Sequence, residues 1–141
     1  MACNNGNGSR AYQKSCVRYF NNSPQLLAAD SENVLTLAGA KVVNSGSSIQ
    51  VEPQSYDTVK IGLYHLAADA VIAATAAGVL TLQWYMDGVA LPRTLKRVTL
   101  PASGNAEIHT ETDLELSGCC CCVSHTFTLV ATTDSTAAGS V

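Results

Sequence analysis

The strict alternation of apolar and polar residues between positions 106 and 116 constrains the fold of this chain more than any other feature. Ala, Ile, Thr and Leu occupy the even positions of this segment, and Glu, His and Asp occupy the odd ones. A helix with 3.6 residues per turn would scatter the acids around its circumference, whereas a strand places alternate residues on one face. The segment is therefore predicted to be a half-buried strand with an acidic outer face.

The same period of two occurs earlier in the chain, in the segment from Leu80 to Met86. Leu, Trp and Met alternate there with Thr, Gln and Tyr, and Asp87-Gly88 then separates this segment from a further apolar stretch. An Asp-Gly pair between two alternating segments is typical of a type I′ turn, because both central residues of that turn need a positive φ. A β-hairpin is predicted around Asp87-Gly88.

Further strands are predicted at residues 33–37, 49–51, 58–70, 96–100 and 123–131, separated by turns containing Gly, Asn, Ser or Pro. The Ala-rich run from 66 to 77 favours a helix on propensity, but the alternation that leads into it favours a long strand ending in a turn at 75–78. About eight short antiparallel strands without a convincing helix indicate an all-β sandwich. Its core is predicted to contain the large residues at inward-facing positions: Leu80, Leu82, Trp84, Ile108, Leu114, Phe127 and Leu129.

The chain of 141 residues is long enough for one domain and too short for two. Residues 1–24 are polar and irregular and are predicted to form an extended arm, residues 25–133 form the sandwich, and residues 134–141 form a short flexible tail. The first ten residues are rich in Asn and Gly and show no secretory signal, and no apolar stretch reaches the roughly 18 residues of a membrane helix. The protein is expected to be made in a reducing cytoplasm and not to bind a membrane.

Charge is scarce in this chain, with 13% charged residues and a formal net charge of −3. A nucleic-acid partner is not expected, because contacts to phosphates need a basic surface. Exposed faces normally carry charge for solubility. So little charge therefore suggests that partners cover much of the surface.

Four of the six cysteines are consecutive, Cys119 to Cys122. The first and fourth have the spacing of a CxxC zinc knuckle, but no second CxxC is present, and in a strand the thiols would alternate between faces. Neighbouring cysteines also cannot pair with each other without strain. The favoured interpretation is four reduced, metal-free thiols that pack as small apolar residues, and no cofactor is expected.

Catalytic motifs are missing from the sequence, and the chain is not expected to be an enzyme. His65, His109 and His125 lie on three predicted strands and could share a metal ion, although structural histidines are the more common case. The acids Glu107, Glu111, Asp113 and Glu115 are expected to form a solvated outer face. The alternative for them is pairing across strands with a basic cluster, Arg93, Lys96 and Arg97.

Three segments between Thr58 and Ala131 carry a resemblance to a known family. They are the run from Lys60 to Leu66, the segment from Gly78 to Pro92 with its Asp-Gly hairpin, and the Cys-Cys pair that precedes a Thr-Leu-Val strand ending at Val130. In these features the chain resembles small structural proteins of tailed phages of gut Firmicutes. The resemblance implies a tumour necrosis factor-like jelly roll, commonly trimeric, that serves as a capsid decoration protein, a head fibre or a spike tip. The chain lacks the collagen repeat of the spike versions, which favours a compact module on the capsid surface.

The expected partners are therefore further copies of the chain, in a homotrimer, and the major capsid protein or another virion protein. Contact with the virion is assigned to the arm, through Arg10, Tyr12, Val17, Tyr19 and Phe20, since a segment that cannot fold alone can become ordered on a partner. The alternative is a receptor- or carbohydrate-binding jelly-roll module of a phage fibre or a bacterial surface. That alternative predicts exposed aromatic residues, for which Trp84 and Tyr85 are the available cluster.

Overall fold

The computed structural model describes residues 16–18, 21, 23–37, 41–44, 49–58, 62–117, 124–135 and 137–140. Within these ranges the regular structure consists of thirteen strands and one 3-10 turn at Pro92–Thr94. The all-β prediction is confirmed. The strands are β1 (Cys16–Arg18), β2 (Gln25–Leu27), β3 (Ser31–Val34), β4 (Lys41–Asn44), β5 (Ile49–Glu52), β6 (Ser55–Thr58), β7 (Gly62–Ala74), β8 (Gly78–Met86), β9 (Val89–Ala90), β10 (Lys96–Leu100), β11 (Gly104–Leu116), β12 (His125–Thr133) and β13 (Ala137–Ser140).

Two large antiparallel sheets organise the described part of the chain. One has four strands in the order β11-β7-β13-β2, and the other has the order β10-β8-β12-β6-β5 with β9 beside β8. A separate pair joins β1 to β4. Strand β3 runs beside β12, and just after β3 the Leu35 N–H donates to the Leu129 carbonyl at 2.9 Å.

One hydrophobic cluster draws its side chains from both large sheets. Trp84 of β8 and Phe127 of β12 are its largest members, and Ile72 of β7 is fully buried among them. Six of the seven residues predicted for the core are buried, and the seventh, Leu114, is partly buried and packs against the cluster. The period-two pattern therefore identified the inward faces correctly.

Strand β7 includes most of the Ala-rich run whose propensity favours a helix. Its even-numbered residues from Leu66 to Ala74 are buried, while the odd-numbered residues between them are exposed. It pairs with β11 without interruption, from Gly62 opposite Leu116 to Ala74 opposite Gly104. Pairing along thirteen residues, together with one buried face, outweighs the helix propensity of alanine, and the predicted strand is confirmed.

The predicted hairpin turn is also present. Asp87 and Gly88 have φ values of 52° and 77°, as a type I′ turn requires. The Asp87 carboxylate accepts a hydrogen bond from the Thr126 N–H at 2.9 Å, and the Asp87 N–H donates to the Thr126 carbonyl at 2.8 Å. These bonds fix the turn to the start of β12.

Both ends of the described chain make contacts that the sequence did not predict. Within the predicted arm, the backbone of β1 pairs with β4, and Asn21 is buried with its Nδ2 donating to the Thr36 carbonyl at 3.0 Å. Within the predicted flexible tail, β13 is hydrogen-bonded between β7 and β2. Strand pairing on both sides satisfies the backbone of this segment, which is too short to show its own periodicity.

Candidate functional site

Charged side chains from β7 and β11 meet on the outer face of the four-stranded sheet. The register places Asp69 opposite His109, Asp113 opposite His65, and Glu111 opposite Ala67, between the other two pairs. All five of these charged or titratable residues are exposed. Alternate residues of a strand share one face, so the two strands together place these groups side by side.

The five side chains form a continuous row. His109 Nδ1 lies 2.6 Å from Asp69 Oδ1, and His65 Nδ1 lies 2.8 Å from Asp113 Oδ1. The Nε2 atoms of the two rings both face Glu111 Oε2, at 3.5 Å from His109 and 3.9 Å from His65. We call the sequence Asp69, His109, Glu111, His65 and Asp113 the imidazole–carboxylate row.

The electrostatic environment of the row favours a charged imidazole at position 109. The hydrogen bond with the Asp69 carboxylate raises the pKa of His109 above its usual value of 6.5. Desolvation opposes this effect, and the negative charges of Asp69 and Glu111 add to it. Because the ring is 49% exposed, water screens these interactions, and the row is a solvent-accessible feature rather than a buried ion pair.

The third histidine belongs to a different part of the fold. His125 begins β12 in the other large sheet, and its Nδ1 lies 2.7 Å from Asp87 Oδ2. The hydrogen bonds from His125 and from the Thr126 N–H lower the pKa of the Asp87 carboxyl. This pair therefore stabilises the hairpin turn and does not join the row.

A metal centre shared by histidines does not form in the part of the chain that the structure describes. There, no three His, Cys, Asp or Glu side chains are arranged to hold a metal ion. The row is extended along the sheet, with Glu111 between two rings that approach it from different positions on β7 and β11. The arrangement is suited to binding and transferring protons along the surface rather than to enclosing a cation.

The acidic outer face predicted for β11 is confirmed, since Glu107, Glu111, Asp113 and Glu115 are all exposed. Two of these acids, Glu111 and Asp113, contact His65 of β7, a partnership that the sequence did not reveal. Among the described residues, no ion pair joins this face to the basic cluster that was the alternative partner, Arg93, Lys96 and Arg97. The sequence did indicate that His65 and Asp69 share the exposed phase of β7. It did not show which residues of β11 lie opposite them, because the two strands are far apart in the sequence.

Of the residues predicted to contact a virion protein, the structure describes Val17 alone. Val17 is in β1, where its backbone pairs with Val42. Arg10, Tyr12, Tyr19 and Phe20 lie outside the described residues, as do Cys119 to Cys122. The roles assigned to these residues stay predictions.

An open depression of about 390 Å³ lies beside the row. Its lining residues are Asp69, Ala70, Val71, Glu107, Ile108 and His109. Two acids and an imidazole can hold and pass protons, but this lining offers no hydroxyl, thiol or amine that could attack a substrate. Exposed apolar side chains occur on the same face, with Val71 at 42% exposure and Leu26 of β2 at 72%.

Comparison with known proteins gives no family assignment, because no protein-family model and no curated protein matches this chain. In the described ranges, no helix has the length and apolar character needed to cross a membrane.

Proposed function

We propose that this chain is a non-enzymatic structural protein of a phage virion, a homotrimeric jelly roll that decorates the capsid surface and attaches through residues 1–24. The observation that carries the proposal is the combination of a charge-poor all-β body with large apolar side chains exposed on the outer face of one sheet. Surfaces of this kind are typical of protein–protein contacts, where charge is depleted.

The topology supports a jelly roll within the all-β class. Neighbours in the large sheets are distant in sequence, as in the pairs β8–β12 and β7–β11, so connections pass between the two sheets rather than along one of them. Crossing connections around a single core are the general property of Greek-key and jelly-roll sandwiches. The strand β13, inserted between β7 and β2, adds a further crossing of this type.

The exposed apolar residues support self-assembly of the body. Leu26 and Ala73 are both in register with Ala138, and Val71 lies two residues from Ala73 on the same exposed phase of β7. Leu26 lies on the β2 side of the outer face and is separated from β11 by β7 and β13, whereas Val71 lies directly opposite Glu107 of β11. A contact between copies centred on Leu26 and Ala73 would bury apolar surface with Val71 and Glu107 at its edge.

The carbohydrate-binding alternative finds less support at its expected residues. Trp84 is only 2% exposed and belongs to the core. Tyr85 is half-buried, and its phenol donates to Glu32 Oε1 at 2.8 Å, a bond that also raises the pKa of the phenol. A sugar platform needs an exposed aromatic face, and this pair does not present one.

Replacement of Val71 by Glu is expected to convert the trimer into monomers at micromolar concentration, because it would place a buried, unpaired charge in the proposed contact. Light scattering or analytical ultracentrifugation would measure the mass. Val89→Glu is the matched control, since Val89 is 68% exposed but lies in the hairpin of the other sheet. A wild-type protein that is monomeric, or a Val71→Glu variant that keeps the trimer mass, would contradict this assignment.

Deletion of residues 1–15 is expected to leave the mass in solution unchanged and to weaken binding to particles that lack the protein by at least about tenfold, the effect of losing roughly 1.4 kcal/mol of contact. This truncation keeps β1 and Asn21, both of which contact other parts of the described chain. Co-sedimentation with such particles provides the measurement. If the truncated protein binds particles as tightly as the full chain does, Arg10 and Tyr12 do not contribute to attachment.

A further inference from the structure

The two nitrogens of the His109 ring impose a condition on its protonation. At 2.6 Å from Asp69, the Nδ1 atom must donate, because a carboxylate can only accept. In a neutral ring with the proton on Nδ1, Nε2 carries a lone pair, and that lone pair would face Glu111 Oε2 at 3.5 Å. Two acceptors facing each other are unfavourable, whereas an imidazolium donates to both carboxylates at once.

We propose that the imidazole–carboxylate row is a proton-operated latch, in which His109 takes up a proton in the folded protein and its ring joins β11 to β7 through Asp69 while its second nitrogen faces Glu111. Asp69 belongs to β7, whereas His109 and Glu111 both belong to β11, so the contact with Asp69 bridges the two strands and the charge of the protonated ring strengthens it. This inference concerns the isolated chain and does not depend on the function proposed above.

The groups around His109 all act in the same direction. The charged and titratable side chains that share its face in the described residues are His65 and Asp69 on β7 and Glu107, Glu111, Asp113 and Glu115 on β11. Five carboxylates therefore surround two imidazoles without a lysine or arginine among them. A negative local potential favours the protonated ring, in agreement with the raised pKa of His109.

His65 repeats the arrangement on the other side of Glu111. Its Nδ1 atom is held by Asp113 at 2.8 Å, and its Nε2 atom faces Glu111 Oε2 at 3.9 Å, which is within ion-pair range but too long for a hydrogen bond. Glu111 is thus shared by two rings and lies closer to His109. The shorter contacts on both nitrogens make His109 the principal site of the latch.

The sign of the pH effect follows from the direction of the pKa shift. A histidine whose pKa is raised by folding stabilises the native state fully below its unfolded pKa of about 6.5, and this stabilisation is lost as the pH rises through the higher native pKa. Proton uptake also removes one unit of negative charge from the outer face.

The test combines a histidine titration by NMR with denaturant unfolding at pH 5.5 and pH 8.0. In the wild-type protein, His109 is expected to titrate above 6.5, and Asp69→Asn is expected to lower that midpoint while keeping a side chain of the same size. The gain in unfolding free energy from pH 8.0 to pH 5.5 should be smaller in His109→Gln than in the wild type. Glu52→Gln is the control, since Glu52 is an exposed acid of β5 in the other large sheet and should leave both measurements unchanged.

A midpoint for His109 at or below 6.5, or one that Asp69→Asn leaves in place, would overturn the latch. An unchanged pH dependence of stability in His109→Gln would do the same. The titration of His109 in the Asp69→Asn variant is measured in the folded protein, so it tests the latch even if His109→Gln fails to fold.

Discussion

Replacing Trp84 by Ala is expected to lower the free energy of unfolding by about 3–5 kcal/mol. The indole lies near the end of β8, opposite Leu129 of β12, and is 2% exposed within the cluster shared by the two large sheets. Its removal would leave a cavity that rigid strands on both sides cannot collapse to fill. Denaturant unfolding followed by far-ultraviolet circular dichroism measures the loss.

Leu63→Ala serves as the control for Trp84→Ala, because Leu63 is 77% exposed at the end of β7. Exposed substitutions of this kind usually change stability by less than about 0.5 kcal/mol. A loss of under about 1 kcal/mol in Trp84→Ala would show that the indole is not part of a packed core.

Replacing Thr94 by Val is expected to cost about 1–3 kcal/mol, the penalty for leaving a buried polar group without its partner. Thr94 is 1% exposed, and its hydroxyl accepts from the Trp84 N–H at 3.0 Å and donates to the Leu91 carbonyl at 2.7 Å. Valine has nearly the same shape but provides neither interaction. The hydroxyl therefore continues the hydrogen bonding of β8 beyond the point where its pairing with β10 ends.

Thr94→Ser separates the hydroxyl from the methyl group in this experiment. Serine keeps both hydrogen bonds and loses one buried methyl, worth about 0.8 kcal/mol. Urea unfolding of the two variants should therefore rank Ser above Val in stability. The reverse order would mean that the methyl group, rather than the hydrogen-bonded hydroxyl, stabilises the 3-10 turn.

Periodicity predicted the inward faces of the central strands because each is long enough to repeat its pattern several times. Strand β11 shows six buried or half-buried positions in alternation, and β8 shows the same phase around Trp84. Strand β13 has only four residues, all small, so its sequence could not distinguish a flexible tail from a strand held by two neighbours. Its position in the sheet depends on backbone hydrogen bonds, which place no constraint on the type of side chain.

The candidate site was less accessible to prediction than the core. The acids of β11 were recognised as an exposed face, but the side chains of β7 that complete the row, His65 and Asp69, lie 40 to 48 residues before their partners Asp113 and His109. A shift of one residue in the register would move those side chains to the opposite face. Such a register is decided by the packing of the whole sheet rather than by either segment alone.

The position of β13 has a consequence for the order of events during synthesis. Strand β2, near residue 26, reaches the four-stranded sheet only through β13, near residue 138, which lies between it and β7. The sheet therefore cannot be completed until residues 137–140 have left the ribosome. Strand pairs of such long sequence separation form slowly, on the scale of milliseconds to seconds. Until then the edge of β7 from Val71 to Ala74, which pairs with β13, stays unpaired, and unpaired strand edges make a folding chain prone to aggregation.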